Sequence, residues 1–227
     1  MPVQQSVDLA LAAYEERRHE LSIFMKGIEG WFASHPRLTG GSTPTLHSVK
    51  SRLKDSGHLK DKIVRKEADG DPITAENLFA RVTDLAGVRV LHLYQEQSRA
   101  IHAAIIDKVE NLRDWVFNEP PKAYTWDPEA QGFFANMGLQ VQVKDSLYTS
   151  VHYLVRPRAD SPLCCEIQVR TLFEEIWGEV DHTLNYPNPT DNVACREQLR
   201  VLTKVVGAGS RLVDSIFRTA ASAPPRQ

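Results

Sequence analysis

The segment 163–170, Leu-Cys-Cys-Glu-Ile-Gln-Val-Arg, constrains the fold more than any other part of the chain. Successive side chains of a strand point to opposite faces, so Cys165, Ile167 and Val169 share one face and Glu166, Gln168 and Arg170 the other. Three adjacent polar groups on an otherwise apolar strand are costly to bury unless they bond to one another or line a site. A solvated face of an antiparallel strand satisfies the same pattern. The alternation recurs just upstream, where Tyr148, Ser150 and His152 oppose Thr149, Val151 and Tyr153. Two such faces on consecutive strands would form a pocket floor with an aromatic plate, an imidazole, a carboxylate and a guanidinium.

Helical periods surround this strand-rich middle. Val7, Leu9, Leu11, Tyr14, Leu21, Ile23, Phe24, Ile28 and Trp31 recur at roughly helical spacing and predict a helix over 4–34, closed by His35-Pro36. A loop follows at 39–44, then a second predicted helix over 45–66. On that helix Lys54, His58 and Lys62 would form one stripe at i, i+4 and i+8, beside Arg52, Arg65 and Lys66. Gly70-Asp71-Pro72 breaks the chain before a short helix near 74–81. The β-branched run 88–94 reads as a buried strand, followed by a helix near 97–113 and a Pro-rich loop to about 137. Strands fit 139–144, 148–156 and 163–170, and helices fit 171–185 and 192–220, with a frayed tail at 221–227. The expected fold is α/β (α+β): a mixed sheet of about five strands flanked by helices, with N- and C-terminal helical extensions. It forms one domain over 1–227 with its core at 45–187.

Composition narrows the function classes. The net charge is −2, which argues against a generally basic nucleic-acid surface. No apolar run approaches the ~20 residues of a membrane span. The first residues lack the basic and apolar regions of a secretory signal. Three cysteines (Cys164, Cys165, Cys195) are too few and badly spaced for a disulfide framework or a zinc site. The expected location is the reducing cytoplasm.

Asp84, in Thr83-Asp84-Leu85-Ala86-Gly87-Val88-Arg89, falls at a helix-to-strand transition. With Glu166 it would supply two carboxylates, the usual means of holding Mg²⁺ against phosphate oxygens. The basic stripe is either a solvated face or a gatherer of an anion such as a polyphosphate.

Four segments in this order resemble the synthetase domain of the RelA/SpoT family, the (p)ppGpp synthetases. Arg52-Leu-Lys54-Asp-Ser-Gly-His58-Leu-Lys-Asp-Lys62 is similar to the family's Arg-x-Lys-x-x-x-Ser-x-x-x-Lys. Asp84-Leu-Ala-Gly87-Val-Arg89 matches Asp-x-x-Gly-x-Arg. Leu147-Tyr148-Thr-Ser150-Val-His152 resembles Gly-Tyr-x-Ser-x-His. Glu166-Ile-Gln168-Val-Arg170-Thr171, followed by Trp177 and Asp181-His182, matches Glu-x-Gln-x-Arg-Thr with its trailing Trp and acidic-His pair.

The resemblance implies a nucleotidyltransferase-like sheet in a small, stand-alone synthetase. It implies transfer of the β,γ-diphosphate of ATP to the 3′-hydroxyl of GDP or GTP, with release of AMP. Arg52, Lys54, His58 and Lys62 would lie on ATP. Asp84 and Glu166 would be the catalytic pair and the Mg²⁺ ligands, Glu166 also taking the hydroxyl proton. Tyr148, His152, Gln168 and Arg170 would meet the acceptor, with Arg89 and His182 in support. The departures are Leu147 for the glycine, His58 for the serine, and Thr183-Leu-Asn185-Tyr186-Pro187 for a lysine-rich ending. The first alters the acceptor side and the second the ATP loop, which opens the identity of the acceptor more than the type of reaction; small toxin members of the family use adenine nucleotides or the tRNA 3′ end instead, with an antitoxin as partner. A non-catalytic nucleotide-binding module is the third reading. No histidine is followed by Asp, so the family's hydrolase metal pair is not expected. Apolar stripes on the two terminal helices either cover the sheet or mediate self-association as a homo-oligomer.

Overall fold

A computed structural model describes residues 3–144, 148–186 and 189–222. Helix α1 (Val3–Ala33) carries Val7, Ala10, Tyr14, Leu21, Met25, Ile28 and Phe32 at steps of three or four residues, with one step of seven between Tyr14 and Leu21, all buried. Leu9 and Ile23, expected in that stripe, are exposed instead. The single turn α2 (Pro36–Thr39) follows.

The predicted helix over 45–66 is two elements. Strand β1 (Ser48–Leu53) precedes helix α3 (Ser56–Ala68). Asp55 accepts hydrogen bonds from the Gly57 and His58 amides, so the helix starts only there. Upstream, Val49 and Leu53 pack against the core while the chain pairs with the next strand. The stripe of Lys54, His58 and Lys62 on one helix is therefore corrected: Lys54 lies before α3.

Helix α4 (Leu78–Arg81) is shorter than expected and leads into β2 (Ala86–His92). Helix α5 (Gln97–Ile106) ends in one π-helical turn at Asp107–Asn111. The expected loop to 137 contains β3 (Val116–Phe117), β4 (Lys122–Thr125) and α6 (Pro128–Ala135). Asp127 caps α6 and Pro128 opens it, a start signal inside a segment that looks irregular by composition. Strands β5 (Gln140–Val143), β6 (Ser150–Arg156) and β7 (Cys165–Thr171) and helices α7 (Leu172–Asn185) and α8 (Val193–Ser222) follow close to their predicted places.

The sheet has seven strands rather than about five, in the order β1-β2-β7-β6-β4-β5, with β3 also on β6. The β2–β7 and β4–β5 pairs are parallel and the rest antiparallel. Ala86, Val88 and Val90 of β2, Val151, Tyr153 and Val155 of β6, and Cys165, Ile167 and Val169 of β7 enter the core. The alternate residues of those strands face the other side of the sheet. Register aligns them in rows. Lys50, Arg89, Gln168, His152 and Lys122 form one row, and Arg52, Gly87, Glu166 and Leu154 the next. No helix among the described residues is long and apolar enough to cross a membrane.

Candidate functional site

Glu166 sits at the centre of the polar face. Across the β6–β7 ladder His152 Nδ1 lies 2.8 Å from Glu166 Oε1, and Gln168 Nε2 donates to Oε2 at 2.6 Å. An ionised carboxylate only accepts, so Nδ1 carries a proton, and on the other side of the ring Nε2 lies 3.3 Å from the Tyr148 hydroxyl. Burial pushes the Glu166 carboxyl up, but the bonds from His152 and Gln168 outweigh it and hold the group below its ordinary value. Burial pushes the Tyr148 phenol up, so it remains a hydroxyl.

Asp84 lies in the turn before β2. Lys54 N donates to Leu85 O at 2.8 Å, which continues the β1–β2 pairing and brings the Lys54 side chain alongside. From α1, the Tyr14 hydroxyl fixes Lys54 O at 2.6 Å. Helix α3, anchored by buried Leu59 and Ile63, supplies Lys62. Lys54 Nζ and Lys62 Nζ then donate to the two Asp84 oxygens at 2.7 and 2.9 Å. Burial raises the Asp84 carboxyl, and the two ammonium groups more than reverse this, bringing it to about 2.

Asp84 and Glu166 line one cavity of about 260 Å³ with Lys50, Arg52, Arg89 and Gln168. Gly87 lies between Arg52 and Glu166 in the row, so no side chain crosses the cavity floor there. A second cavity of about 280 Å³ adjoins it, lined by Tyr148, Arg170, Trp177 and His182 among others. Arg89 and Gln168 line both.

Arg170 is buried, ion-paired with Glu175 of α7, and its guanidinium lies 5.9 Å from the Tyr148 ring centre. Arg89 contacts Glu175 at 3.3 Å and also pairs with Glu179. His182 stacks on Tyr186 at 4.7 Å. His58 does not line the first cavity; its ring meets Tyr186 edge-on at 5.1 Å. The departure at Leu147 lies outside the described residues.

Sequence reading missed Lys50 and Glu175 as site residues, and Tyr124, whose ring meets His152 edge-on at 4.8 Å. The signal for Glu175 was the capping box Thr171–Glu174, which starts α7 immediately after β7 and fixes its first turn against the site. Tyr124 was hidden because its strand was read as loop.

The donor set suits Mg²⁺. Among the described residues no group of three His, Cys, Asp or Glu side chains could enclose a metal. Mg²⁺ commonly takes one or two carboxylates and completes its shell with phosphate and water. Two ionised carboxylates on one cationic cavity meet that requirement, provided Lys54 and Lys62 yield Asp84.

The comparisons with known proteins agree with this architecture. The model for the region found in RelA and SpoT proteins matches residues 51–191. GTP pyrophosphokinase YwaC of Bacillus subtilis (strain 168) is 26% identical over 149 residues, or 66% of this chain and 62% of that one. The chain thus aligns with less than two thirds of that relative's length. The crystal structure of the small alarmone synthetase 1 from Bacillus subtilis superposes with a TM-score of 0.64 at 19% identity, covering 94% of this chain and 96% of that one. Its complex with the product pppGpp gives a TM-score of 0.63 at 19% identity, covering 92% and 95%. At such identities the two structures establish a common fold. The sequence match extends over well more than half of the residues, and the chain belongs to the RelA/SpoT family.

Proposed function

We propose that this protein is an ATP-dependent pyrophosphokinase that moves the β,γ-diphosphate of ATP to the 3′-hydroxyl of GDP or GTP and releases AMP. The observation that carries this reading is the placement of Asp84 and Glu166 in one cavity, beside Lys54, Lys62 and Arg52 and next to the chamber of Tyr148 and Arg170. The donor occupies the first chamber and the acceptor the second. Arg52, Lys54 and Lys62 grip the triphosphate and offset the charge that shields the β-phosphorus from an oxygen nucleophile. Tyr148 offers its ring to the acceptor base. His152, Gln168 and Arg170 face the ribose and phosphates. Arg89 and His182 support the wall and the far rim.

The 3′-oxygen forms a bond to the β-phosphorus, the bond from that phosphorus to the α,β-bridging oxygen breaks, and the bridging oxygen leaves on AMP. The hydroxyl proton passes to Glu166. A carboxylate held below its ordinary value is a weak base, so transfer comes late, as the new P–O bond acidifies the hydroxyl. Asp84 and Glu166 would hold Mg²⁺, whose chemistry here is neutralisation of phosphate charge. The descriptions of the relatives, a GTP pyrophosphokinase and a synthetase bound to pppGpp, support a guanosine acceptor.

Purified protein with Mg²⁺ and ATP is offered GDP, GTP, ADP and tRNA separately. AMP release with GDP or GTP, together with a 3′-diphosphorylated guanosine product, is expected. Labelled phosphate on tRNA or ADP alone would replace the acceptor with the toxin type. Silence with every acceptor would leave only a nucleotide-binding module.

We also propose that a second copy of this chain covers α8. Its outward Val201, Val205, Leu212 and Ile216 are each more than half exposed, while its inward face carries Leu199, Thr203, Val206, Ser210 and Asp214. Val193 of α8 and Ile176 of α7 are also more than half exposed, and a stable interface buries ~800 Å² per partner. Light scattering during size exclusion reads the mass directly, and a monomer at micromolar concentration would reject the idea.

A further inference from the structure

Glu175 lies in the first turn of α7, directly after the strand that carries Glu166. It is 5% exposed, yet it meets three cations. Oε1 lies 3.3 Å from Lys50 Nζ and 3.3 Å from Arg89 Nη1, and Oε2 pairs with Arg170 Nη2. These cations belong to different parts of the site. Lys50 lines the first cavity, Arg170 the second, and Arg89 both.

The three ties are unequal. The Arg170 side chain is 4% exposed and that of Arg89 25%, whereas that of Lys50 is 62% exposed. A buried guanidinium cannot exchange its partner for water, so its position follows the carboxylate. An exposed ammonium on a flexible stem can leave at little cost. Neither Arg170 Nε nor Glu175 Oε2 has a hydrogen-bond partner among the described residues, so the Arg170–Glu175 tie is an ion pair of two buried charges. Arg170 in turn lies beside the Tyr148 ring. The capping box of Thr171 with Glu174 holds this first turn of α7 on the end of β7.

We propose that Glu175 is a positioning residue for the acceptor: it holds the Arg89 and Arg170 guanidiniums against the second cavity and so sets how the acceptor nucleotide sits, with little influence on the donor. The proposal rests on the two-chamber reading above and adds a residue that touches neither nucleotide. A purely structural role, neutralising buried Arg170, would alter stability and leave the two substrates equally affected.

The test is steady-state kinetics of the full chain with Mg²⁺, varying ATP and the guanosine acceptor separately, alongside thermal melts. Glu175→Gln keeps the shape and removes the charge. Its acceptor KM should rise about tenfold or more while the ATP KM stays within about threefold, as expected when a charged hydrogen bond is lost on one side only. Glu175→Asp keeps the charge on a shorter stem and should recover most of the loss, leaving an acceptor KM about threefold above wild type. If Glu175→Gln does not fold, Glu175→Asp decides, with an acceptor KM about threefold above wild type and an ATP KM unaltered within error. Equal shifts in both KM values, or an unaltered acceptor KM in a folded variant, would overturn the positioning role while an active wild type keeps the pyrophosphokinase reading. A wild type that releases no AMP with any acceptor would overturn both.

Discussion

His152 and Glu166 face each other across the β6–β7 ladder, Nδ1 2.8 Å from Oε1, in a register that pairs His152 with Gln168. The contact puts a proton on Nδ1 of the imidazole and helps keep the carboxylate ionised in a buried place. The same oxygens are the ones that the proposed chemistry requires to bind a cation and receive a proton.

Glu166→Gln tests that requirement. The amide retains the size of the side chain and an oxygen for His152, so melting should stay within about 4 °C of wild type, the range of a loss near 1 kcal/mol. AMP release should fall about 10²–10⁴-fold, the usual contribution of a positioned base. Full activity in the variant would take Glu166 out of the chemistry.

Asp84 makes stability depend on acid pH. Its carboxyl is at about 2 when folded against 3.8 as the ordinary value. A depressed folded value means the stabilisation is complete above 3.8 and lost as pH falls toward 2. With its side chain 32% exposed, screening reduces the contribution. It is on the order of 1–2 kcal/mol. Urea midpoints should therefore separate wild type from Asp84→Asn at about pH 5, with the gap reduced to roughly half by about pH 3 and closing toward pH 2. A gap constant over that range would mean that the Lys54 and Lys62 pairs do not hold in solution.

Gly178 tests the position of Arg170. A methyl group at residue 178 would sit 2.8 Å from Arg170 Nη1, so the guanidinium must shift, and the second cavity that it lines gives it space to do so. Alanine also favours the helix by about 1 kcal/mol over glycine. Gly178→Ala should thus raise the acceptor KM several-fold by displacing Arg170, with the ATP KM unaltered and without the loss of helix stability that most substitutions bring. Unchanged acceptor kinetics would place the Arg170 guanidinium away from the bound nucleotide.

Much of the core was legible in the chain. The alternation in 163–170 and 148–154 identified β7 and β6, their buried faces, and the side that carries Glu166, Gln168 and His152. Period-2 patterns survive in sequence because one face of each strand must be apolar. Strand β1 was not legible. Lys54 falls at helical spacing with His58 and Lys62, which extended the expected helix upstream over Lys50 and Arg52, and the partner that satisfies the β1 backbone lies almost forty residues downstream in sequence. Strand β4 failed for a similar reason: four residues between prolines become a strand only because β6 offers a free edge.

The sequence by itself determined the family motifs, the polar faces of two strands, and the terminal helices, all of which follow from local period and residue type. The tertiary structure alone decided that Asp84 and Glu166 share a cavity, because the parallel β2–β7 pairing joins segments some eighty residues apart. It alone also decided that Lys54 and Lys62 converge on Asp84 from a strand end and a helix rather than from one stripe, and that Glu175 binds cations from both chambers. The physical reason is the same in each case. Local propensity fixes which way a side chain points along its own element, whereas charge pairing across the site depends on hydrogen-bond register between elements that the chain brings together only on folding.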